Sequence, residues 1–365
     1  MGLGRGALAP LAVRRPDPRF WAGKRVLLTG HTGFKGAWAA IWLQRLGARV
    51  TGLALAPEMV ACLYGLAGVG GLCDSHLIDL RDPAAVSGLL EAQSFDIVLH
   101  LAAQPIVRAA IEAPVDTFAT NVMGTAHLLQ ALRSRTGLKA VLAVTSDKVY
   151  ANAENGQAFA EAAALGGKDP YSASKAAAEM VVASFARSYF DRAGVALATA
   201  RGGNVIGGGD VARDRLVSDI VRAAAAGEAV VLRHPEATRP WQHVLDCVAG
   251  YLVYAEALAI DPATPRALNF GPKPGGAQVT VGELATLATQ ALGARPWRHE
   301  PDPGSIEAQA LAIDAGLARL SLGFESRLDA PAAVALTMDW HRRQAAGEDA
   351  LALCHEQIEG YETRP

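Results

Sequence analysis

Lys24-Arg-Val-Leu-Leu-Thr-Gly30-His-Thr-Gly33-Phe-Lys-Gly36 is the stretch on which the fold turns. A short apolar run ends at Gly30, and an apolar helical stretch, Ala37 to Leu46, follows the third glycine. Glycines at intervals of three let a backbone approach a pyrophosphate at the amino end of a helix. The unpaired N–H groups and the dipole there favour an anion. The spacing is Gly-x-x-Gly-x-x-Gly rather than Gly-x-Gly-x-x-Gly. A glycine cluster alone is a tight turn; between a strand and a helix it reads as a dinucleotide loop. Gly30, Thr32, Gly33, Phe34, Lys35 and Gly36 are therefore the first candidate cofactor residues.

Downstream, strand and helix alternate. Strands are expected at Arg49 to Leu55, Ser75 to Leu80, Phe95 to Ala103, Ala140 to Thr145 and Val195 to Arg201. Helices are expected at Pro83 to Gln93, in one long run from about Val115 to Arg135, and at Pro170 to Ala193. Such alternation predicts an α/β fold with a Rossmann-like, doubly wound parallel sheet. Ligands sit off the carboxyl ends of such strands. The glycine loop, Ala102-Ala103-Gln104 and Ser146-Asp147-Lys148 all fall at that edge.

A second pattern lies on the helix after the fifth strand, Tyr171-Ser-Ala-Ser-Lys175. Positions four apart share a helix face, so both side chains can reach one point. A free tyrosine titrates near ~10, and a neighbouring lysine cation and a positive nicotinamide favour its phenolate. The phenolate can take a proton from a sugar hydroxyl as hydride leaves the same carbon, with Ser146 holding that hydroxyl. Many helices contain Tyr-x-x-x-Lys by chance; the preceding strand ending in Ser146 makes it a redox site. Asp147 and Lys148 equip the site for a second task, elimination of water, which needs one proton donor and one acceptor close together. Burial would favour a neutral Asp147, and a neighbouring cation an ionised one. Lys148 serves either as the base or as a cation that stabilises an enolate.

The 365 residues suffice for about two domains, and 51% are hydrophobic. The net charge of −2 gives no footprint for nucleic acid or a membrane surface. Four cysteines, Cys62, Cys73, Cys247 and Cys354, show no Cys-x-x-Cys spacing, which reads as free thiols in a cytoplasmic protein. No ligand cluster indicates a metal, and no apolar run nears the ~18 residues of a membrane helix. Residues 1–18, with three arginines and three prolines, read as a disordered tail, order beginning near Phe20-Trp21. The expected organisation is a dinucleotide-binding domain over 19–201, to which later segments return, then a smaller substrate lobe over 202–345, and a charged tail over 346–365 without a role. Leu268-Asn-Phe-Gly271 is expected as a late strand of the lobe.

The chain resembles the extended short-chain dehydrogenase/reductases that act on nucleotide sugars, and within them the CDP-glucose 4,6-dehydratase subgroup. The resemblance runs from about residue 19 to 345. It is carried by Phe20-Trp-Ala-Gly-Lys-Arg-Val-Leu-Leu-Thr-Gly-His-Thr-Gly-Phe-Lys-Gly36, Leu101-Ala-Ala-Gln-Pro105, Thr120-Asn-Val-Met-Gly-Thr125, Val144-Thr-Ser-Asp-Lys148, Gly203-Asn-Val-Ile-Gly-Gly-Gly-Asp210 and Arg239-Pro-Trp-Gln-His-Val244. Most nucleotide-sugar dehydratases carry Asp-Glu where this subgroup carries Asp-Lys.

The resemblance implies NAD+ held by the glycine loop, Asp79, Leu80, Ala102, Ala103, Gln104, Asn121, Tyr171 and Lys175. The end of the second strand, Leu53-Ala-Leu-Ala-Pro57, offers neither an acid for a ribose nor an arginine for a 2′-phosphate. It also implies three steps on CDP-glucose: oxidation at carbon 4 with Tyr171 as base, loss of water across carbons 5 and 6 through Lys148 and Asp147, and return of hydride to carbon 6. The product class feeds deoxysugars of surface polysaccharides such as lipopolysaccharide. Diphosphates favour guanidinium forks and amide donors. Arg239 leads, with Asn204, Arg215 and Arg233 behind it. Where the family reads Arg-Ala-Gly-Asn this chain has Arg201-Gly-Gly-Asn204. A homodimer, or a tetramer, is implied through the long helix from Val115 and the helix of Tyr171. A 4-epimerase would share the fold and the Tyr171–Lys175 pair but lack an acid–base pair beside Ser146. A redox-dead sensor on the same fold would have lost the tyrosine or the lysine.

Overall fold

The computed structural model describes residues 13–272, 278–302 and 310–364. Seven parallel strands form one sheet: β1 (Arg25–Thr29), β2 (Arg49–Ala54), β3 (Asp74–Leu77), β4 (Ile97–His100), β5 (Ala140–Val144), β6 (Ala196–Gly202) and β7 (Ala267–Phe270). Their order is β7-β6-β5-β4-β1-β2-β3. β1 pairs with β2 on one side and β4 on the other, so the chain reverses direction across the sheet after β3. The crevice off the carboxyl ends at such a reversal is where ligands bind. The central strands are short unbroken apolar runs, as strands buried on both faces must be.

Helices cover both faces. α1 (Phe34–Arg45), α2 (Pro83–Ala92), α3 (Gly124–Leu132), α4 (Pro170–Phe185) and α5 (Val244–Ile260) are the principal ones. α1 and α5 bury Trp38, Trp42, Leu252 and Tyr254 in the larger core, together with Val26, Leu28 and Leu142. α2, α3 and α4 bury Leu90, Leu128 and Val182 against Leu27, Val98 and Val141 on the opposite face. The alternation along β1 thus sends Leu27 to one face and Val26 and Leu28 to the other. Each fully buried side chain of this size contributes about 1.5–3 kcal/mol.

Five expectations are corrected. The run from Val115 is not one regular helix: Pro114–Phe118 leads into a π turn, Ala119–Met123, before α3. The helix from Pro170 likewise leaves α geometry at Ala186, passing through a π turn and a 3-10 turn to Ala193. The late strand belongs to the main sheet rather than the lobe, because β7 pairs with β6 along its length. The charged tail is also structured. α6 (Ala330–Ala345) is followed by α7 (Ala350–Thr363), whose Leu353, Cys354, Ile358 and Tyr361 are buried. Of the segment 1–18 expected to be disordered, residues 1–12 lie outside the described residues, while 13–18 are held in place. Arg14 N–H donates to Gly323 O, its guanidinium meets Glu256 at 3.1 Å, and Asp17 caps the turn Pro18–Trp21.

The outermost described segments, 13–21 and 361–364, meet beside α5. Trp21 Nε1–H and Asp17 N–H donate to Glu256, each at 2.7 Å. Tyr361 O–H and Arg327 N–H donate to Asp246 at 2.8 and 2.7 Å. The Arg327 guanidinium reaches the carbonyls of Val13 and Arg364, and Arg15 also donates to Arg364 O.

Candidate active site

Gly30 sits at φ +78°, and a Cβ there would stand 2.7 Å from Ala102 N. A Cβ on Gly36 would stand 2.0 Å from Gly30 O. The two glycines therefore set the tight turn and the close passage of α1 over β1. Gly33 is different: it is exposed, and the nearest atom to its Cβ position is 3.4 Å away. It is the N-cap of α1 and supplies no side-chain cap, so the first turn's N–H groups face outward. This cradle fits a dinucleotide pyrophosphate. His31, within the loop, lies over Gly52 of β2, where a Cβ would come within 2.5 Å of its ring, and its Nε2 meets Ser75 Oγ at 2.7 Å. Burial first of all pushes His31 down to about 4.

The other expected cofactor residues divide. Ala102 N–H donates to Thr29 Oγ1 at 3.1 Å, and Thr32 Oγ1 donates to Leu55 O at 2.9 Å. The Asp79 carboxylate is engaged by Arg81, at 2.7 Å from Nη2, and Leu80 is buried beside it. The Gln104 amide turns back on its own loop, to Ile106 and Thr117. Asn121 sits in the π turn and is buried. It accepts from Gln104 N–H at 2.8 Å and donates to Gln104 O and Ser174 Oγ. Asn121 thus clamps the 102–104 loop to α4, and π turns often mark such special positions. Ala103 rides on that clamped loop. None of these residues lines the neighbouring cavity.

That cavity, of about 330 Å³, lies off the sheet's carboxyl edge and is walled on its far side by segments after Gly202. It brings together Phe34, Lys35, Ser146, Lys148, Tyr171, Asn204, Arg215, Arg233 and Arg239. Each arrives for a local reason. Asp169 caps α4 in a reciprocal box with Ser172, with Pro170 at the first helical position, which fixes where Tyr171 begins the helix. Ser146 ends β5 and caps the short 3-10 turn Asp147–Val149 by accepting from Lys148 N–H. Asn204 opens the strand Asn204–Ile206, paired with Trp241–His243. Asp147 is fully buried just behind the cavity, and Lys175 is buried behind Tyr171.

The hydrogen bonds form a chain. Ser146 O–H donates to Asp147 Oδ1 at 3.0 Å. Lys148 Nζ donates to the same oxygen at 3.2 Å and to Asn204 Oδ1 at 3.3 Å. Lys175 Nζ donates to Val144 O at 3.1 Å. Burial pushes Tyr171 up to about 12, opposed by its hydrogen bond with Ser146; Asp147 raises it further and Arg215 lowers it. Burial also brings Lys175 down to about 7, reinforced by Lys35 and opposed by Glu179. Lys35 is lowered by burial, with Cys247, Asp147 and Asp210 acting the other way. The arrangement offers a phenol with a lysine behind it, and an acid–amine pair beside it. A proton can be moved at two points of one bound molecule.

The Arg215 guanidinium is held by Asp210 at 2.7 Å. Arg239 donates to Thr238 O at 2.8 Å. Residues that sequence reasoning did not single out also line the wall, among them Arg108, Lys168, Asp210 and Trp241. Arg108 follows the Gln104-Pro105 turn and stands 3.4 Å from Asp214, which adopts φ +60°. Beneath the site, Glu179 and Arg201 form a buried ion pair at 2.8 Å. Thr145 and Thr199 hydroxyls donate to Glu179, and Arg201 donates to Tyr150 Oη and Glu161 O. Tyr150 in turn donates to Asn269 of β7. This network ties β5, β6, β7 and α4 together under Ser146. The only sequence signal for it was an acid and a base in otherwise apolar elements.

These features define a nucleotide-sugar-type member of the dinucleotide-binding folds, and comparison with known proteins agrees. The chain belongs to the NAD dependent epimerase/dehydratase family, whose model matches residues 26–271. It is 39% identical over 351 residues to the CDP-glucose 4,6-dehydratase of Salmonella typhimurium, covering 94% of this chain and 98% of that protein. It is 29% identical over 341 residues to a dTDP-glucose 4,6-dehydratase of Xanthomonas campestris, covering 86% and 92%. Among solved structures it resembles a UDP-glucose-4-epimerase from Stenotrophomonas maltophila with bound NAD and formylated UDP-arabinopyranose. The TM-score is 0.76 at 25% identity, covering 89% of this chain and all of that one. Among the described residues no helix is long and apolar enough to cross a membrane.

Proposed function

We propose that this protein is an NAD-dependent hydro-lyase that converts CDP-D-glucose to CDP-4-dehydro-6-deoxy-D-glucose. The observation that carries the reading is that Ser146, Tyr171 and Lys148 line one cavity, with Asp147 buried behind them and paired with Lys148 at 3.2 Å. The first two serve oxidation and the second two elimination; an epimerase needs only the first. Likeness to the Salmonella enzyme along nearly the whole chain supports it.

Tyr171 takes the proton of the carbon 4 hydroxyl, with Ser146 holding that oxygen and Lys175 behind it. The cradle of Gly30, Gly33 and Gly36 would hold NAD+, which would supply the hydride acceptor for carbon 4 and the hydride for carbon 6. The carbon 4 ketone acidifies the proton on carbon 5, which passes to Lys148. The carbon 6 hydroxyl takes a proton from Asp147 and leaves as water. Carbon 5 is then reprotonated, so the balance is loss of one water and no net redox change. Arg239, Arg215 and Arg233, with Asn204, stand along the remainder of the cavity for the diphosphate and nucleoside. A homodimer fits the exposed Val115, Phe118, Met180 and Tyr189 on the helical segments around α3 and α4.

The test is incubation of the pure protein with CDP-, UDP-, dTDP- and GDP-glucose in deuterated water, followed by proton NMR. A methyl signal with deuterium at carbon 5, from CDP-glucose alone, is expected. A galactose configuration without a methyl moves the protein to the epimerases. Turnover of another nucleotide sugar keeps the chemistry and changes the base.

A further inference from the structure

Lys148 reaches the cavity from the turn after β5, while Asn204 comes from a different element, the strand Asn204–Ile206 on the lobe side. The amine is held between them. One acceptor, Asp147 Oδ1, stands at 3.2 Å; the other, Asn204 Oδ1, stands at 3.3 Å. The strand pairing of Asn204 with Trp241 fixes the second acceptor in space.

A neutral primary amine has two N–H bonds and one lone pair in a tetrahedron. If both N–H groups are given to two fixed acceptors, the direction of the lone pair is determined. An amide oxygen does this without adding charge, so it accepts equally from the ammonium and from the amine. A carboxylate in its place would favour the ammonium. We propose that Asn204 is a positioning residue that aims the Lys148 amine as the base of the elimination step. Asn204 is more than a contact for the sugar nucleotide. This inference rests on the dehydratase reading above. It also decides between the two roles open to Lys148, base or stabilising cation. The charged and titratable groups that line the cavity with Lys148 are Lys35, Arg108, Tyr150, Lys168, Asp169, Tyr171, Asp210, Asp214, Arg215, Asp219, Arg233, His234 and Arg239, with Asp147 buried behind it. Among the described residues, Lys148 Nζ donates to Asp147 and to Asn204.

The experiment uses the full-length enzyme loaded with NAD+ and compares Asn204→Ala and Asn204→Asp with the parent. Three readouts are taken: NADH appearance in a single turnover of CDP-glucose, deuterium entry at carbon 5, and the pH dependence of Lys148 labelling by acetic anhydride without substrate. In Asn204→Ala, NADH appearance at saturating CDP-glucose should fall by a clearly smaller factor than product formation. Deuterium entry and methyl product should fall on the order of 10–100-fold, since a small misplacement of a reacting group costs that much. In Asn204→Asp, the labelling midpoint of Lys148 should move up by about one pH unit or more, and product formation should recover as pH is raised. If Asn204→Ala slows NADH appearance as much as product formation and raises KM for CDP-glucose by the same factor, the inference is wrong and Asn204 only binds substrate. An unmoved labelling midpoint in Asn204→Asp also overturns it. If the parent enzyme itself yields no methyl product, the dehydratase reading fails, and the inference with it.

Discussion

Gly202 replaces the alanine expected before Gly203, and the structure supplies the reason. A Cβ at Gly202 would stand 2.3 Å from the Tyr251 hydroxyl oxygen, 3.6 Å from its Cζ and 3.7 Å from Cys247 Sγ. Tyr251 cannot swing away. It is fully buried within α5 and packs edge-on against Phe270, ring centres 5.5 Å apart. Gly202→Ala alone should therefore cost about 2–3 kcal/mol as overpacking. Tyr251→Phe alone deletes a buried hydroxyl whose polar neighbour is the weakly bonding Cys247 thiol, so it should be neutral or stabilising by up to about 1 kcal/mol. With phenylalanine at 251, the nearest remaining atom is an ordinary 3.6 Å contact. Alanine at 202 then restricts the unfolded chain and should gain roughly 0.5–1 kcal/mol. The sign of Gly202→Ala thus reverses with its partner, and the coupling is about 3 kcal/mol. Urea unfolding of all four proteins, at fixed protein and NAD+ concentration because ligand shifts the midpoint, measures it. Additive effects within ~0.5 kcal/mol would refute the packing argument.

Four further outcomes follow from the site. Tyr171→Phe should abolish NADH formation from CDP-glucose, read by absorbance, while substrate still protects against unfolding. Asp147→Asn should oxidise carbon 4 but not expel water, so bound NADH and a 4-keto sugar accumulate; normal turnover would remove Asp147 from the elimination step. Lys175 carries a linkage signature. Below about 7 its ammonium is buried at full cost; as pH rises from there toward the free value of ~10.4, the folded state releases its proton first and stability increases. Lys175→Met should lose that increase in denaturant midpoints between pH 7 and 9, measured without cofactor. Glu179→Gln strands the Arg201 cation among Thr145, Thr199 and Tyr150, and should cost about 3–5 kcal/mol; unfolding of the variant at neutral pH checks it.

The sheet was readable because its central strands are apolar runs punctuated by Gly30, Gly194 and the helix caps, a period that survives without tertiary information. β7 was misplaced because four residues, Ala267–Phe270, carry no sign of which edge they join; only the partner strand decides. α7 was passed over because its charges face water while Leu353, Cys354, Ile358 and Tyr361 turn inward, a pattern weaker than its composition. At the site, Ser146, Lys148 and Tyr171 were legible from strand ends and helix spacing. The roles of Gln104 and Asn121 as partners in a loop clamp were not, because hydrogen bonds from a side chain to backbone 17 positions away leave no local trace. The Glu179–Arg201 pair was equally silent.

The convergence of Arg15, Arg327, Val13 and Arg364 beside α5 has a topological consequence. The backbone path from Val13 to Arg364 is nearly a closed loop, fastened at one point by Asp246 and Glu256. Such a chain has no structurally privileged beginning. Joining these ends through a short glycine-rich bridge, and cutting instead in an exposed turn such as that at Gly227, should yield a circularly permuted protein with the same sheet order. A partner fused directly to Val13 or to Arg364 would emerge from the same small patch of surface.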